Sequence, residues 1–121
     1  MATIAIVNNE QSLAEVLAYS LEASGHRVRV YHRSDVALEG LIAEPADVAL
    51  SDGQNPPLGG IELFRRLRKH SAMPVIFLSA WAVEIERTLS GSRLEADGYV
   101  QIPVSLVELN ERIAKVCGEM R

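Results

Sequence analysis

Cysteine is nearly missing from this chain. Cys117 is the only one in 121 residues, so an internal disulfide and a disulfide-stapled secreted scaffold are both excluded. There is no cationic excess: Lys and Arg number 12 against 16 Asp and Glu, a net charge of −4. A weakly acidic domain is a poor binder of nucleic acid on its own. No apolar run reaches the roughly 18 residues of a membrane span. The opening Met1-Ala2-Thr3 passes straight into an apolar stretch, without the regions of a signal peptide. The three histidines, His26, His32 and His70, lack metal-ligand spacing. Repeats, low-complexity tracts and internal linkers are also missing. A cytoplasmic protein of one domain, residues 1–121, is expected.

Hydrophobic residues make up 48%, enough for a core that covers roughly two thirds of the unfolded chain's surface. Thr3–Val7 is continuously apolar, as a central parallel strand should be. Leu13, Val16, Leu17 and Leu21 recur at helical spacing, and Gly25 is a helix stop. Arg27–Tyr31 alternates charged and apolar residues, which suggests an edge strand with one wet face. Ser34 is placed to cap a helix carrying Val36, Ala37, Leu41 and Ile42, ended near Pro45. Val48–Ser51 reads as a short buried strand, and Gly53–Gly60 as a loop.

Farther on, Ile61–His70 is amphipathic, and its Arg65, Arg66, Arg68 and Lys69 read as a solvated face with cations near the helix end. Pro74–Leu78 is a strand, Val83–Leu89 a weak helix with Gly91 beyond it, and Gly98–Gln101 a strand. Leu106–Cys117 is a last amphipathic helix capped by Ser105, with Cys117 in a packing or surface role. Strands alternating with helices predict an α/β, doubly wound (βα)5 domain. The flavodoxin-like parallel order 2-1-3-4-5 fits best, with strand 2 at the edge.

In that order the switch point lies between strands 1 and 3, where ligands bind. Asn8-Asn9-Glu10 follows strand 1, Asp52 follows strand 3 and Ile102-Pro103 follows strand 5. The crevice would then hold one central carboxylate, flanked by amides and an uncharged side chain.

Taken together, Ile6-Val7-Asn8-Asn9-Glu10, Leu50-Ser51-Asp52, Phe77-Leu78-Ser79-Ala80 and Tyr99-Val100-Gln101-Ile102-Pro103 resemble the motifs of response regulator receiver domains, which have the CheY-like fold. Gly60-Ile61-Glu62-Leu63 and Met73–Ala80 are especially similar, and the resemblance spans essentially the whole chain. In style it resembles the OmpR/PhoB subfamily of transcription regulators, with ChvI-type members nearest. The resemblance implies that Asp52 stands at the phosphoacceptor position, served by a histidine kinase. Ser79 stands at the switch hydroxyl and Tyr99 at the switch aromatic. It also implies a cis bond at Ile102-Pro103, to which the sequence alone gives little weight.

The chain departs from the family where charge is needed. Phosphoryl transfer depends on positioning and on neutralising developing charge. Mg²⁺ is held through one or two carboxylates with phosphate oxygens and waters, and a lysine adds a point charge. Here Asn8 and Asn9 occupy the paired-acid positions, Ile102 the lysine position, and Gly59 a position where an acid is common. Glu10 is the one extra carboxylate nearby. Removing one such group typically costs roughly 3 kcal/mol of transition-state stabilisation.

The sequence therefore points to an atypical receiver in two-component signal transduction, phosphorylation-independent or weakly phosphorylatable. It would act without enzymatic activity of its own, without a cofactor and with at most weak Mg²⁺ binding. The resemblance implies homodimers through the fourth helix, fifth strand and fifth helix. Glu108 and Arg112 keep charged positions there, whereas Gly98, Arg93 and Thr88 depart. DNA would be reached only through an output domain outside this chain. The alternative is a functional phosphoacceptor, phosphorylated on Asp52 by a histidine kinase. A flavodoxin-like cofactor binder is disfavoured, because Asn8-Asn9-Glu10-Gln11 is not a Ser/Thr/Gly-rich phosphate loop and Glu10 would repel phosphate. Trp81, after Ser79-Ala80, is expected to serve as a lid or to face a partner.

Overall fold

Apolar side chains alternate between the two faces of every central strand, and this alternation organises the molecule. The computed structural model describes residues 2–90 and 96–117. Gly91, beyond the predicted fourth helix, and the Arg93 position of the dimer face lie outside them. In chain order the elements are β1 (Thr3–Val7), α1 (Gln11–Ala23), β2 (Arg27–Tyr31), α2 (Ser34–Ala43) and β3 (Val48–Ser51). They are followed by α3 (Gly60–Arg68), β4 (Val75–Ser79), α4 (Ala82–Ser90), β5 (Gly98–Gln101) and α5 (Leu106–Cys117). The strands form one parallel sheet of order β2-β1-β3-β4-β5, as predicted.

Successive strand residues face opposite ways. Ala5, Val7, Ala49, Val75 and Phe77 therefore share one core with Leu41, Phe64, Leu67 and Leu89 of α2, α3 and α4. Ile4, Ile6, Val48, Leu50, Ile76 and Leu78 share the other with Leu21, Leu109 and Ile113 of α1 and α5. Phe64 meets Phe77 edge-on, ring centres 5.6 Å apart at 79°, the geometry that the ring quadrupoles favour. Two helices on one face and three on the other follow from right-handed crossovers. No helix of the described residues is long and apolar enough to cross a membrane.

Local signals succeed where they are purely local. Gly25 has φ +98° after α1, the left-handed conformation that suits glycine. Ser105 Oγ accepts the Glu108 N–H at 3.1 Å and so caps α5. The predicted Ser34 cap is overturned. Ser34 is the first residue of α2, and its Oγ accepts the Leu58 N–H at 2.7 Å. A tertiary donor from the loop before α3 has taken the oxygen that a cap would use.

The wet face predicted for β2 also needs correction. Arg29 is half-buried and Val30 exposed. Arg29 Nη2 donates to Tyr31 Oη at 2.7 Å and to the Glu44 carbonyl at 2.7 Å. Its stem lies along the sheet while its head closes the end of α2. On α1, Val16 is 62% exposed despite its helical spacing with Leu13 and Leu17.

Candidate functional site

Sheet register brings the three predicted stretches to one edge. Val7 pairs with Ser51, Ser51 with Phe77, and Ser79 with Gln101. The residues just beyond these strand ends are thereby neighbours: Asp52 N–H donates to the Val7 carbonyl at 3.0 Å, and Ile102 N–H to the Ser79 carbonyl at 3.1 Å. A parallel sheet with this switch point leaves its crevice at that edge.

Asp52 is half-buried there. Its Oδ1 accepts the Gly53 N–H at 2.7 Å, a charge-assisted bond within its own turn. Asn8 is only 4% exposed. Its Oδ1 accepts the Glu10 N–H at 2.8 Å, closing an Asx turn at the start of α1. His32 Nδ1 lies 3.1 Å from the Asn8 carbonyl oxygen. Asn9 and Glu10 are exposed, and Glu10 is the N-cap residue of α1 without a side-chain cap bond.

Ser79 is 1% exposed, and its Oγ accepts the Trp81 N–H at 3.1 Å. Tyr99 is half-buried and stacked on Phe77, centres 6.1 Å apart at 10°. Its hydroxyl accepts the Ala96 N–H at 3.0 Å. Gln101 Nε2 donates to the Ala80 carbonyl, tying the ends of β4 and β5 together.

Ile102 behaves differently from the other site residues. Its side chain packs with the α1/α5 core. There it joins Leu13, Leu17, Pro103 and Leu106 in lining an apolar groove of about 560 Å³. The Ile102-Pro103 bond is cis, as the resemblance implies and against the small weight the sequence alone gives it.

The donors fit Mg²⁺ poorly. A hard cation wants several oxygens, with carboxylates foremost. Among the described residues no three His, Cys, Asp or Glu side chains converge. Asn8 already spends its amide oxygen on a backbone donor. No hydrogen bond or ion pair of the described residues brings a Lys or Arg side chain to Asp52. The arrangement presents one half-buried carboxylate, Asp52, followed by Gly53 near the buried Ser79 hydroxyl, and among the described residues little that could neutralise a transferring phosphoryl group.

Two contributors escaped sequence reading. Asn55 is fully buried; its Nδ2 donates to the Asp52 carbonyl at 2.8 Å and reaches Ser51 Oγ at 3.4 Å. An asparagine in a Pro/Gly-rich loop is the signal that could have found it. Gly60 is the other: a Cβ there would lie 2.1 Å from the Asp52 carbonyl oxygen. Only glycine lets α3 begin against the backbone of Asp52.

Glu108 and Arg112, proposed for a dimer face, pair with each other along α5 at 3.7 Å. Arg112 also reaches the Tyr99 carbonyl at 3.4 Å. Trp81 is 55% exposed. His26 Nδ1 accepts the Ala2 N–H at 3.2 Å, and Cys117 Sγ lies 3.7 Å from the Asp47 carbonyl.

Comparison with known proteins agrees with this geometry. Residues 4–114 match the response regulator receiver domain. The transcriptional regulatory protein CreB of Escherichia coli is 37% identical over 112 residues, 92% of this chain and 48% of that protein. The sensory transduction protein RegX3 of Mycobacterium tuberculosis is 36% identical over 116 residues, 96% of this chain and 51% of that protein. The chain thus spans about half the length of these relatives. Among solved structures, the receiver domain of the Francisella response regulator 1452 superposes with a TM-score of 0.88 at 26% identity, covering 100% of both chains. The response regulator TrrA of Thermotoga maritima, solved in complex with Mg²⁺-BeF, gives 0.85 at 26% identity, covering 96% of this chain and 99% of that one. With the fold, the switch-point crevice and these likenesses in agreement, the chain belongs to the response regulator receiver domain family.

Proposed function

We propose that this receiver domain is atypical, of the OmpR/PhoB-like subfamily and ChvI-type in style. It regulates transcription through dimerisation and an output domain, with little or no dependence on phosphorylation. The observation that carries this reading is the charge-poor crevice. Asn8 is bound to its own turn and Ile102 is packed into the α1/α5 core, so among the described residues Asp52 has neither a second carboxylate to share a cation nor a Lys or Arg bonded to it. The domain acts in the cytoplasm as a switch component rather than an enzyme.

Incubation with acetyl phosphate and Mg²⁺, followed by intact-mass measurement, tests this. The expected spectrum shows the unmodified chain. A phosphoryl adduct lost in Asp52→Asn would sink the proposal and establish the second reading, a working phosphoacceptor fed by a histidine kinase. That reading draws support from the half-buried Asp52 carboxylate, from the buried Ser79 hydroxyl near Gly53, and from the Mg²⁺-BeF bound in TrrA.

The dimer face is proposed on α4, β5 and α5. Glu108 and Arg112 pair within one helix in the monomer, so an intermolecular pair would have to exchange an existing exposed bridge of small worth. Weak self-association follows. In sedimentation velocity Arg112→Ala should weaken it further; a tight dimer indifferent to Arg112→Ala would place the contact elsewhere.

A further inference from the structure

Gly53 follows Asp52 directly, yet its backbone does not call for glycine. Gly25 and Gly59 have positive φ; Gly53 does not. What distinguishes position 53 is the space around it. A Cβ there would lie 2.6 Å from Ile85 Cδ1, 3.3 Å from Ile85 Cγ1 and 4.0 Å from Ser79 Oγ. The end of Ile85 thus occupies the space that a side chain at position 53 would need, with the buried Ser79 hydroxyl close by. Ile85 belongs to the buried stripe of α4, with Ala82 and Leu89. Ala82 offers little apolar surface and Leu89 sits near the far end, so Ile85 is the main anchor of the first half of the helix. The opposite side of the same stretch exposes Trp81 and Val83.

We infer that Gly53 and Ile85 form a steric latch that seats α4 against the phosphoacceptor loop. Side-chain volume at position 53 then sets the position of α4 without any change of charge at Asp52. Ile85 is a positioning residue: it acts on the α4 surface by packing directly over Gly53. A packed contact of this kind has discrete arrangements rather than a continuum, because interiors resist partial displacement. An alanine at 53 displaces only the terminal methyl of Ile85, which can rotate away. A leucine has to move the side chain bodily, and the helix with it. The latch deepens the proposed role of the α4 face, but its test involves no phosphodonor, so the two readings fail separately.

The test is amide hydrogen exchange by mass spectrometry on the full chain, without Mg²⁺ or phosphodonor. Gly53→Leu should speed exchange across Ala82–Ser90 by about tenfold or more while α2 and α5 keep their protection. Gly53→Ala should change it by less than about threefold. In Gly53→Leu/Ile85→Ala the new leucine takes the volume that Ile85 vacates, and protection of α4 should return to near the parent level. Unchanged α4 exchange in Gly53→Leu overturns the latch, and so does failure of Ile85→Ala to restore it. If Gly53→Leu does not fold, Ile85→Ala alone decides. Faster exchange confined to α4 supports the latch, and parent-like protection overturns it.

Discussion

Asn55 holds the Asp52 carbonyl through its amide nitrogen, while its Oδ1 is buried without a hydrogen-bond partner. A buried acceptor of that kind carries a desolvation cost of about 1–3 kcal/mol. Reversing the donor to an acceptor would be worse. Asn55→Asp sets a carboxylate against the Asp52 carbonyl oxygen in a site closed to water. We expect a loss of about 3 kcal/mol or more, read from urea denaturation. A change below about 1 kcal/mol would mean that the Asn55–Asp52 bond does not organise the loop. Residues of this kind were the least legible in the sequence. Asp52, Asn8 and Ile102 were found because strand ends converge. Asn55 acts through a hydrogen bond inside its loop, marked only by an asparagine among prolines and glycines, and Ile85 meets Gly53 through a long-range contact that no local pattern marks.

At the scale of elements, α3 shows how charge and helix geometry combine. Glu62 lies in the first turn, and Arg66 one turn on donates to it at 2.8 Å. This arrangement favours the charged carboxylate, and the Arg66 hydrogen bond lowers the Glu62 pKa below its ordinary value. Its stabilising contribution is therefore present above the unfolded-state pKa and is lost as pH falls through the lowered folded value. Glu62→Gln should remove that part of the acid-side decline. Tm measured from neutral pH into the acid range should fall less steeply for the variant; parallel curves would deny the pair a role.

The basic face of α3 was correctly read as solvated at Arg65 and Arg66, which are exposed and paired with Glu62. It was misread at Arg68. That guanidinium lies 4.7 Å from the Phe64 ring centre and donates to the Met73 carbonyl at 2.7 Å. A helical period says which side a residue is on, but not what the chain brings back against it.

For the whole molecule, the crevice chemistry makes a thermodynamic statement. A bound ion stabilises the folded state by RT ln(1 + [L]/Kd). With one carboxylate and a preoccupied Asn8, millimolar Mg²⁺ should raise Tm by less than about 1 °C. A clear rise would show that Glu10 or Asn9 turns inward to complete a cation site. The Asn residues also avoid the mutual repulsion of packed carboxylates, which is why we expect the metal-free domain to be stable.

Sequence alone determined the element order, the parallel sheet, the switch point and the identity of the strand-end residues. These follow from apolar periodicity, chain reach and crossover handedness, all of which are local or nearly so. Tertiary structure decided which way Ile102 packs, what crowds position 53, and what Ser34 and Arg29 bond to. The physical reason is common to them. Each depends on volume or on a hydrogen-bond partner supplied from elsewhere in the structure, and such contacts compete with and override the local preference written in the chain.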